Sequence, residues 1–379
     1  MKFIHTSDWH LGHTLYGYDR REEQRAMLEQ IERLAAEHRP DAILVSGDVY
    51  HTTTPTAAAQ QMFVGAMMAL HTLVPEMQII VTAGNHDSAS RHEVFRQPWK
   101  TLNVHTISSV NSELTVDLPG KGHVVAVPYV NEHYLNDGFY QALLDTVPND
   151  GLPVVMMAHS TVSSELLPLQ TENSEQRTPN SELSVGGIEA VPLSFFGEGY
   201  DYLALGHIHG GYFLPGSNGR ARYCGTPLPV SFDETGEHSV TLVEIGSRGD
   251  SPKVSIIPID NPHPLVTLPE EGFVAWDEAV AMLSQYDAES PAYVRLNVEV
   301  DDFLPAGANA EAAQTVKEKQ CRFCYINTRR CVHAGTSASQ GLTVSEFRQE
   351  SPLSLVRRYA ADKGMVFDDE LADLFNSLL

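Results

Sequence analysis

Five polar clusters in the sequence could do metal chemistry, and each directly follows an apolar run. They are Asp8-Trp9-His10, Gly47-Asp48, Asn85-His86-Asp87, His159 and His207-Ile208-His209. Residues two apart in an extended chain point to the same side. Asp8 and His10 are therefore expected to aim a carboxylate and an imidazole at one point, with Trp9 turned away into the core. One hard oxygen and one borderline nitrogen suit a divalent transition ion. Each cluster alone also has a plain structural explanation. Gly-Asp is a common turn, Asn-His-Asp can cap or turn, and a lone histidine can sit in a core or on a surface. Their recurrence at the ends of strand-like runs is what points to metal, because the carboxyl ends of parallel strands converge on one crevice.

The donors fit two ions. One set is Asp8, His10, Asp48 and His209, and the other is Asp48, Asn85, His159 and His207. Asp48 bridges, since a carboxylate has two oxygens. Two divalent ions roughly 3.5–4 Å apart can clamp a phosphoryl group for in-line displacement. Mixed imidazole and oxygen donors suit manganese, iron or zinc better than magnesium or calcium. His86 adjoins a ligand without being needed as one. It is assigned to stabilise or protonate the leaving oxygen. Asp87 either orients His86 or is a turn residue. His51 is either a phosphate or DNA contact at the rim or a loop histidine.

Strands and helices alternate over the first 90 residues, which predicts an α/β chain with a parallel sheet. Strands are expected at Lys2–His5, Asp41–Ser46 and Met77–Thr82, with an amphipathic helix at Asp19–Arg39 and a second helix at Pro55–Val74. The stretch Ala57–Val74 comes nearest to a membrane span, but Gln60, Gln61 and His71 interrupt it, and a core helix is expected instead. Further strands are expected at Val124–Val127, Pro153–Ala158 and Tyr202–Leu205. Between Arg220 and Ile259 three more strands are expected to form a second sheet closing a sandwich. Residues 163–187 read as a long surface loop.

Asn261-Pro262-His263-Pro264 marks a boundary. Beyond it the pattern predicts a small α+β domain, with strands at Leu265–Leu268, Tyr293–Val300 and Cys321–Thr328 and helices at Trp276–Tyr286 and Ala310–Lys319. A Gly/Ser/Thr linker at 334–341 and two short amphipathic helices, 351–363 and 368–379, follow. These helices carry more apolar surface than a solvated tail needs.

The 379 residues suffice for more than one domain. A hydrophobic content of 42% and a charged content of 20% are those of a soluble globular protein. No signal peptide is read at the start, and four cysteines in so long a chain fit a reducing cytoplasm. The net charge of −24 argues against non-specific attraction to nucleic acid. It does not exclude a nucleic-acid enzyme, because bound cations and a basic partner reverse the local sign. Cys321, Cys324, Cys331 and His333 invite a zinc reading. However, Cys321 and Cys324 are expected on opposite faces of one strand, so they are left out of the site. Cys224 is read as a buried strand residue.

Asp-x-His, Gly-Asp-x-x-His, Gly-Asn-His-Asp, a lone His and Gly-His-x-His together resemble the calcineurin-like metallophosphoesterases. Residues Phe3 to Gly12, Gly47 to His51, Tyr202 to His209 and Tyr223 to Glu234 resemble, within them, the SbcD family of nuclease subunits, related to Mre nucleases. The resemblance covers nearly the whole chain. It implies a metallophosphoesterase β-sandwich flanked by helices (1–262), a small α+β capping domain (263–333) and a C-terminal helical segment (342–379). It further implies a manganese-dependent DNA exonuclease and endonuclease acting in repair, recombination and replication. The implied assembly is a homodimer within a heterotetramer, cytoplasmic and acting at the nucleoid. Its partner is an SbcC-type, SMC-like ABC ATPase docked on the terminal helices, with no membrane contact. The acidity of the chain leaves more of the DNA binding to that partner. A small-molecule phosphodiesterase or phosphatase is the alternative, but it would need neither the extra domain nor the terminal helices. A non-catalytic scaffold would have lost ligands, and here all seven positions are filled.

Overall fold

The computed structural model of the chain describes residues 1–131, 135–136, 138–163, 190–234, 236–331, 351–362, 371–372 and 375. Past Ser163 the expected 163–187 loop lies outside the described residues. So do the 334–341 linker and most of the 368–379 helix. The chain forms two compact units, Met1–Glu299 with Phe303–Arg329 and Val300–Asp302 with Arg330–Leu379.

In chain order the first unit runs β1 (Lys2–Thr6), α1 (Arg21–His38), β2 (Ala42–Ser46), α2 (Ala57–Leu73), β3 (Gln78–Thr82), α3 (Ala89–Lys100) and β4 (Val104–Ile107). Then come β5 (Thr115–Leu118), β6 (Gly122–Ala126), α4 (Phe139–Leu144), β7 (Val154–His159), β8 (Tyr202–Gly206), β9 (Ala221–Tyr223), β10 (Ser239–Glu244) and β11 (Lys253–Pro258). Last are β12 (Leu265–Leu268), α5 (Trp276–Gln285), β13 (Tyr293–Val300), α6 (Ala308–Thr315) and β14 (Arg322–Arg330).

Two six-stranded sheets pack as a sandwich. The first has the order β11-β10-β1-β2-β3-β4, and the second places Tyr212–Phe213 beside β9-β8-β7-β6-β5. Strands β1 to β4 are mutually parallel, while β10 runs antiparallel to β1. In the second sheet β6, β7, β8 and β9 are parallel. Side chains on β2 alternate. Ala42 and Leu44 face the intersheet core with Phe3, Ile80, Val155 and Met157, while Ile43 and Val45 face the helices with Met27, Ile31, Phe63 and Met67. Burial on both faces is why these strands read as unbroken apolar runs. Helix α1 buries Met27, Leu28, Ile31 and Ala35. Helix α2 starts at Thr56, whose hydroxyl accepts from Ala59 N at 3.2 Å, and buries Phe63, Met67 and Leu70. Among the described residues no helix is long and apolar enough to cross a membrane.

Two expectations change. The strands after residue 239 do not build the second sheet. They add to the free edge of β1, and the second sheet is made by residues 115–118, 122–126, 154–159, 202–206, 212–213 and 221–223. A strand's composition does not disclose its partner, and β1 has two edges to satisfy. Consequently the five polar clusters do not line one sheet. Three end strands of the first sheet and two end strands of the second, facing each other. Helix α3 and strands β4 and β5 have no counterpart in the sequence reading. Pro98 lies inside α3, and the His and Thr on β4 dilute its apolar signal.

The three-stranded sheet β12-β13-β14 matches the α+β pattern read after Pro264. It belongs to the same compact unit as the sandwich and is tied to it by Tyr293. The Tyr293 hydroxyl donates to Glu23 Oε1 at 2.5 Å and accepts from Arg322 Nη1 at 2.6 Å. Cys321 is buried, and Cys324 packs with Leu15, Phe232 and Tyr293. In the second unit α7 (Pro352–Asp362) begins after Ser351, whose Oγ accepts from Ser354 N at 3.2 Å. Proline at the first helical position after a serine cap is a strong start signal.

The two sheets approach closely where Gly206 of β8 meets Ser46 of β2. A Cβ on Gly206 would lie 1.9 Å from the Ser46 carbonyl oxygen. Backbone cannot yield as a flexible side chain can. Gly206→Ala is expected to cost at least about 3 kcal/mol, the upper end of ordinary overpacking. Urea unfolding of the purified variant measures this; an unchanged midpoint would show that the sheets separate easily here.

Candidate metal centre

Strand β1 ends at Thr6, and the residues after it are not extended. Asp8 and His10 have φ of 53° and 43°, in the left-handed region. They share an aim because of two left-handed steps, not because of strand alternation. Asp48 and His207 also have positive φ, 49° and 95°. Four of the seven candidate ligands thus carry a conformation costing on the order of 1–3 kcal/mol each, the kind of strain that functional sites hold. The surroundings enforce it. Asp8 N donates to Gly47 O and His10 N to Asp48 O, both at 3.0 Å. The first two loops are therefore locked backbone to backbone. Trp9 turns away into the helix-side core and bonds Thr6 Oγ1 at 2.9 Å.

All seven candidate ligands come together. Ligand atoms of Asp8, His10 and His209 lie within 4.8 Å of one another, as do those of Asp8, Asp48 and His159. Asp48 Oδ2 is 3.9 Å from His10 Nε2 and 3.4 Å from His159 Nε2, so it stands between the two groups. Asn85 Oδ1 is 3.0 Å from both His159 Nε2 and His207 Nδ1. The Nε2 atoms of His10 and His209 face each other at 3.1 Å. Asp8 is held by Ser7 Oγ and by His207 N at 3.2 Å. Asp8, His10, Asp48 and His159 are each 2% exposed or less.

The donor set fits divalent cations. His159 Nδ1 donates to the Ser46 carbonyl at 2.8 Å, which fixes the ring with Nε2 aimed at Asn85 Oδ1, 3.0 Å away. His209 Nδ1 meets Glu234 Oε1 at 2.8 Å, which likewise turns the Nε2 lone pair toward His10. Imidazole nitrogens and amide and carboxylate oxygens converging in this way are the donors that a divalent transition ion takes. His10 Nδ1 is buried with no hydrogen-bond partner among the described residues.

The acidities reflect the burial and crowding of these groups. Burial, aided by the Asp48 carboxylate, raises the Asp8 carboxyl to about 6. Burial would also raise Asp48, but His159 and His10 hold it below the usual carboxylate range. Burial acts against a charged His159, yet Asp48 raises that imidazole to about 9. Burial pushes His10 well below its ordinary value, and burial with neighbouring His159 lowers His207 to about 4. His10 and His207 thus remain neutral bases, the form a metal takes.

His51 and His86 also bring ligand atoms within 4.8 Å of each other and of His10. His86 Nδ1 donates to the His51 carbonyl at 2.8 Å, and its backbone N–H donates to Asp48 Oδ1 at 2.9 Å. Its ring stands edge-on to His10 at 5.1 Å and nearly parallel to His51 at 5.7 Å. His51 therefore adjoins the site, and it positions His86 through its own carbonyl. Asp87 does not orient His86. Its carboxylate accepts from Val49 N at 3.1 Å, Tyr50 N at 3.0 Å and Gly84 N at 2.9 Å. It faces away from the ligands and ties the loop after β2 to the loop after β3, so it is a positioning residue. The sequence reading missed Glu234 as a neighbour of the site. Only its place in the Tyr223–Glu234 stretch could have marked it.

Residues 1–211 match the family model of the calcineurin-like phosphoesterases. The chain is 31% identical over 319 residues to the SbcD subunit of the nuclease SbcCD from Rhodobacter capsulatus, covering 75% of this chain and 76% of that protein. It is 28% identical over 335 residues to the SbcD subunit of Escherichia coli K12, covering 80% and 79%. The same comparison with the SbcD subunit of Bacillus subtilis 168 gives 27% over 324 residues, covering 80% of each chain.

Removing the Asp87 carboxylate strips the acceptor from three backbone amides. A buried donor left unpaired costs about 1–3 kcal/mol, so Asp87→Ala is expected to lose roughly 3 kcal/mol or more in urea unfolding. Asp87→Asn, which keeps one acceptor oxygen, should lose less. Unchanged stability with abolished turnover would instead give Asp87 a direct catalytic part.

Proposed function

Because the chain belongs to the calcineurin-like phosphoesterases, and within them to the SbcD family, we propose that it is the metal-dependent nuclease subunit of an SbcCD-type complex. Its substrate is DNA, cut as a duplex exonuclease and as a single-strand or hairpin endonuclease. The observation that carries this reading is the convergence of carboxylate, amide and imidazole donors from five strand ends on one buried point.

The chain's own residues divide the work. Asp8, His10, Asp48 and His209 hold one cation, and Asp48, Asn85, His159 and His207 hold the other, with manganese the proposed metal. Two bound divalent ions supply polarisation of the phosphoryl oxygens and activation of an attacking water. His86, anchored through Nδ1, presents Nε2 to the leaving oxygen and, when protonated there, donates to it. His51 holds His86 in place and borders the path of the phosphate backbone. With a net charge of −24, the chain relies on its cations and a basic partner to draw DNA in.

The proposed organisation is a nuclease domain over 1–262, a cap over 263–333 and a docking segment over 342–379. The partner is an SbcC-type, SMC-like ABC ATPase, and two copies of each subunit form a cytoplasmic heterotetramer. Residues 332–350 and most of 363–379 lie outside the described residues. Helix α7 leaves Leu353, Leu355 and Val356 partly exposed, and these are apolar groups suited to a partner helix.

A nuclease assay on blunt and hairpin duplexes with manganese, with and without SbcC and ATP, tests the reading. Duplex cleavage is expected. Hydrolysis of nucleotides or phosphopeptides but not duplex would favour a small-molecule phosphodiesterase or phosphatase. His86→Ala should keep both metals and DNA binding while turnover falls by about 10²–10⁴. Metal lost along with activity would make His86 a ligand. Deleting Leu342 to Leu379 should abolish co-purification with SbcC yet spare manganese-dependent cleavage of a simple phosphodiester. Undiminished co-purification would place the docking surface elsewhere.

A further inference from the structure

Three consecutive residues between β9 and β10 reach in two directions. Phe232 is buried with Leu15 and Tyr293 and stands edge-on to the Tyr325 ring at 5.8 Å. Asp233 accepts from Arg295 Nη1 at 2.8 Å. The same guanidinium lies over the Phe232 ring at 5.2 Å and donates to Tyr325 OH at 3.1 Å. Glu234 turns the other way, with Oε1 on His209 Nδ1 at 2.8 Å. Its Oε2 accepts from Val230 N at 3.1 Å. Tyr293 and Arg295 lie on β13 and Tyr325 on β14, so one side of this segment is seated in the three-stranded sheet.

We infer that Glu234 is the positioning residue of His209, and that Phe232 and Asp233 tie it to the three-stranded sheet, so that this sheet sets the aim of one metal ligand. The inference rests on the two-metal reading above. A carboxylate on Nδ1 fixes the tautomer, turns the ring and raises the basicity of Nε2. His159 receives the same service from the Ser46 carbonyl, which belongs to the sandwich and is locked by β2. His209 receives it from a side chain whose two predecessors pack against β13 and β14. The contact is well sheltered, with side-chain exposures of 15% for His209 and 10% for Glu234, so solvent screens it little. Glu234 is not itself a ligand in this arrangement. It meets His209 at Nδ1, while Nε2 is the nitrogen that faces His10.

The plain alternative is that Glu234 only closes the turn through Val230 and Thr226. Manganese titration of the full-length chain by calorimetry, with bound ions counted by electron paramagnetic resonance, separates the two. Two binding steps are expected for the parent chain. Glu234→Gln keeps the size and one acceptor oxygen. It should weaken one step by about tenfold or more, the usual cost of an outer-shell carboxylate, and leave the other step and the urea midpoint unchanged. Arg295→Met keeps much of the bulk and touches no ligand. It should weaken the same step by a smaller factor, and it tests the tie even if Glu234→Gln folds poorly. Two unaltered steps in Glu234→Gln would reduce Glu234 to a turn residue. A weakened step in Glu234→Gln with none in Arg295→Met would sever the tie to the sheet. A parent chain that binds no manganese would overturn the two-metal reading beneath, a result distinct from either.

Discussion

The site depends on three residues, Ser46-Gly47-Asp48, at the end of β2. The Ser46 carbonyl orients His159, and its hydroxyl donates to Ala204 O at 3.1 Å across the sandwich. The Gly47 and Asp48 carbonyls hold Asp8 and His10 in their left-handed turns. A Cβ on Gly47 would stand 2.2 Å from the His159 ring, and Gly47 has φ +90. Only glycine allows the backbone to pass there. One short turn therefore fixes both the contact between the sheets and the spacing of the candidate ligands. The strain at Asp8, His10 and Asp48 is held by hydrogen bonds to neighbours that are themselves fixed.

Much of this was legible in the sequence, though not always for the right reason. The five polar clusters mark the five strand ends that meet, and the helix faces follow their apolar spacing. The α+β order after Pro264 matches within a few residues. The convergence of Asp8 and His10 was expected from strand alternation but arises from left-handed turns, which a sequence of this kind does not announce. Sheet membership was misread for 239–258, because a strand's sequence names its faces and not its neighbours. Asp87 shows the same gap at the site. Adjacency in sequence suggested a partner for His86, whereas the carboxylate looks the other way and binds three amides. Glu234 lies 25 residues beyond His209, and only the folded chain brings the two together.

A second buried polar cluster joins the sandwich to the three-stranded sheet. Arg20, 2% exposed, lies 3.7 Å from Glu23 and donates to Pro229 O. Glu23 in turn receives Tyr293 and lies 3.7 Å from Arg322. Buried charges of this sort add little net stability over apolar residues of equal size, but breaking one partner is costly. They specify one seat. A greasy interface would let the sheet slide, while directional bonds to Glu23 and Tyr293 do not. This is the rigidity that a strut from the sheet to His209 requires.

The long reach of β1 has a consequence for how the enzyme is made. Its strand is completed on one edge by β2 and on the other by β10, and His10 meets His209 across 199 residues of chain. Loops of such length close slowly, and the contacts that reward closure come late. A ribosome-bound chain that has exposed the first three polar clusters therefore holds donors without a site. His159 and His207 join the other donors only once the second sheet has been synthesised and docked. The topology thus gathers the candidate site only once both sheets are present.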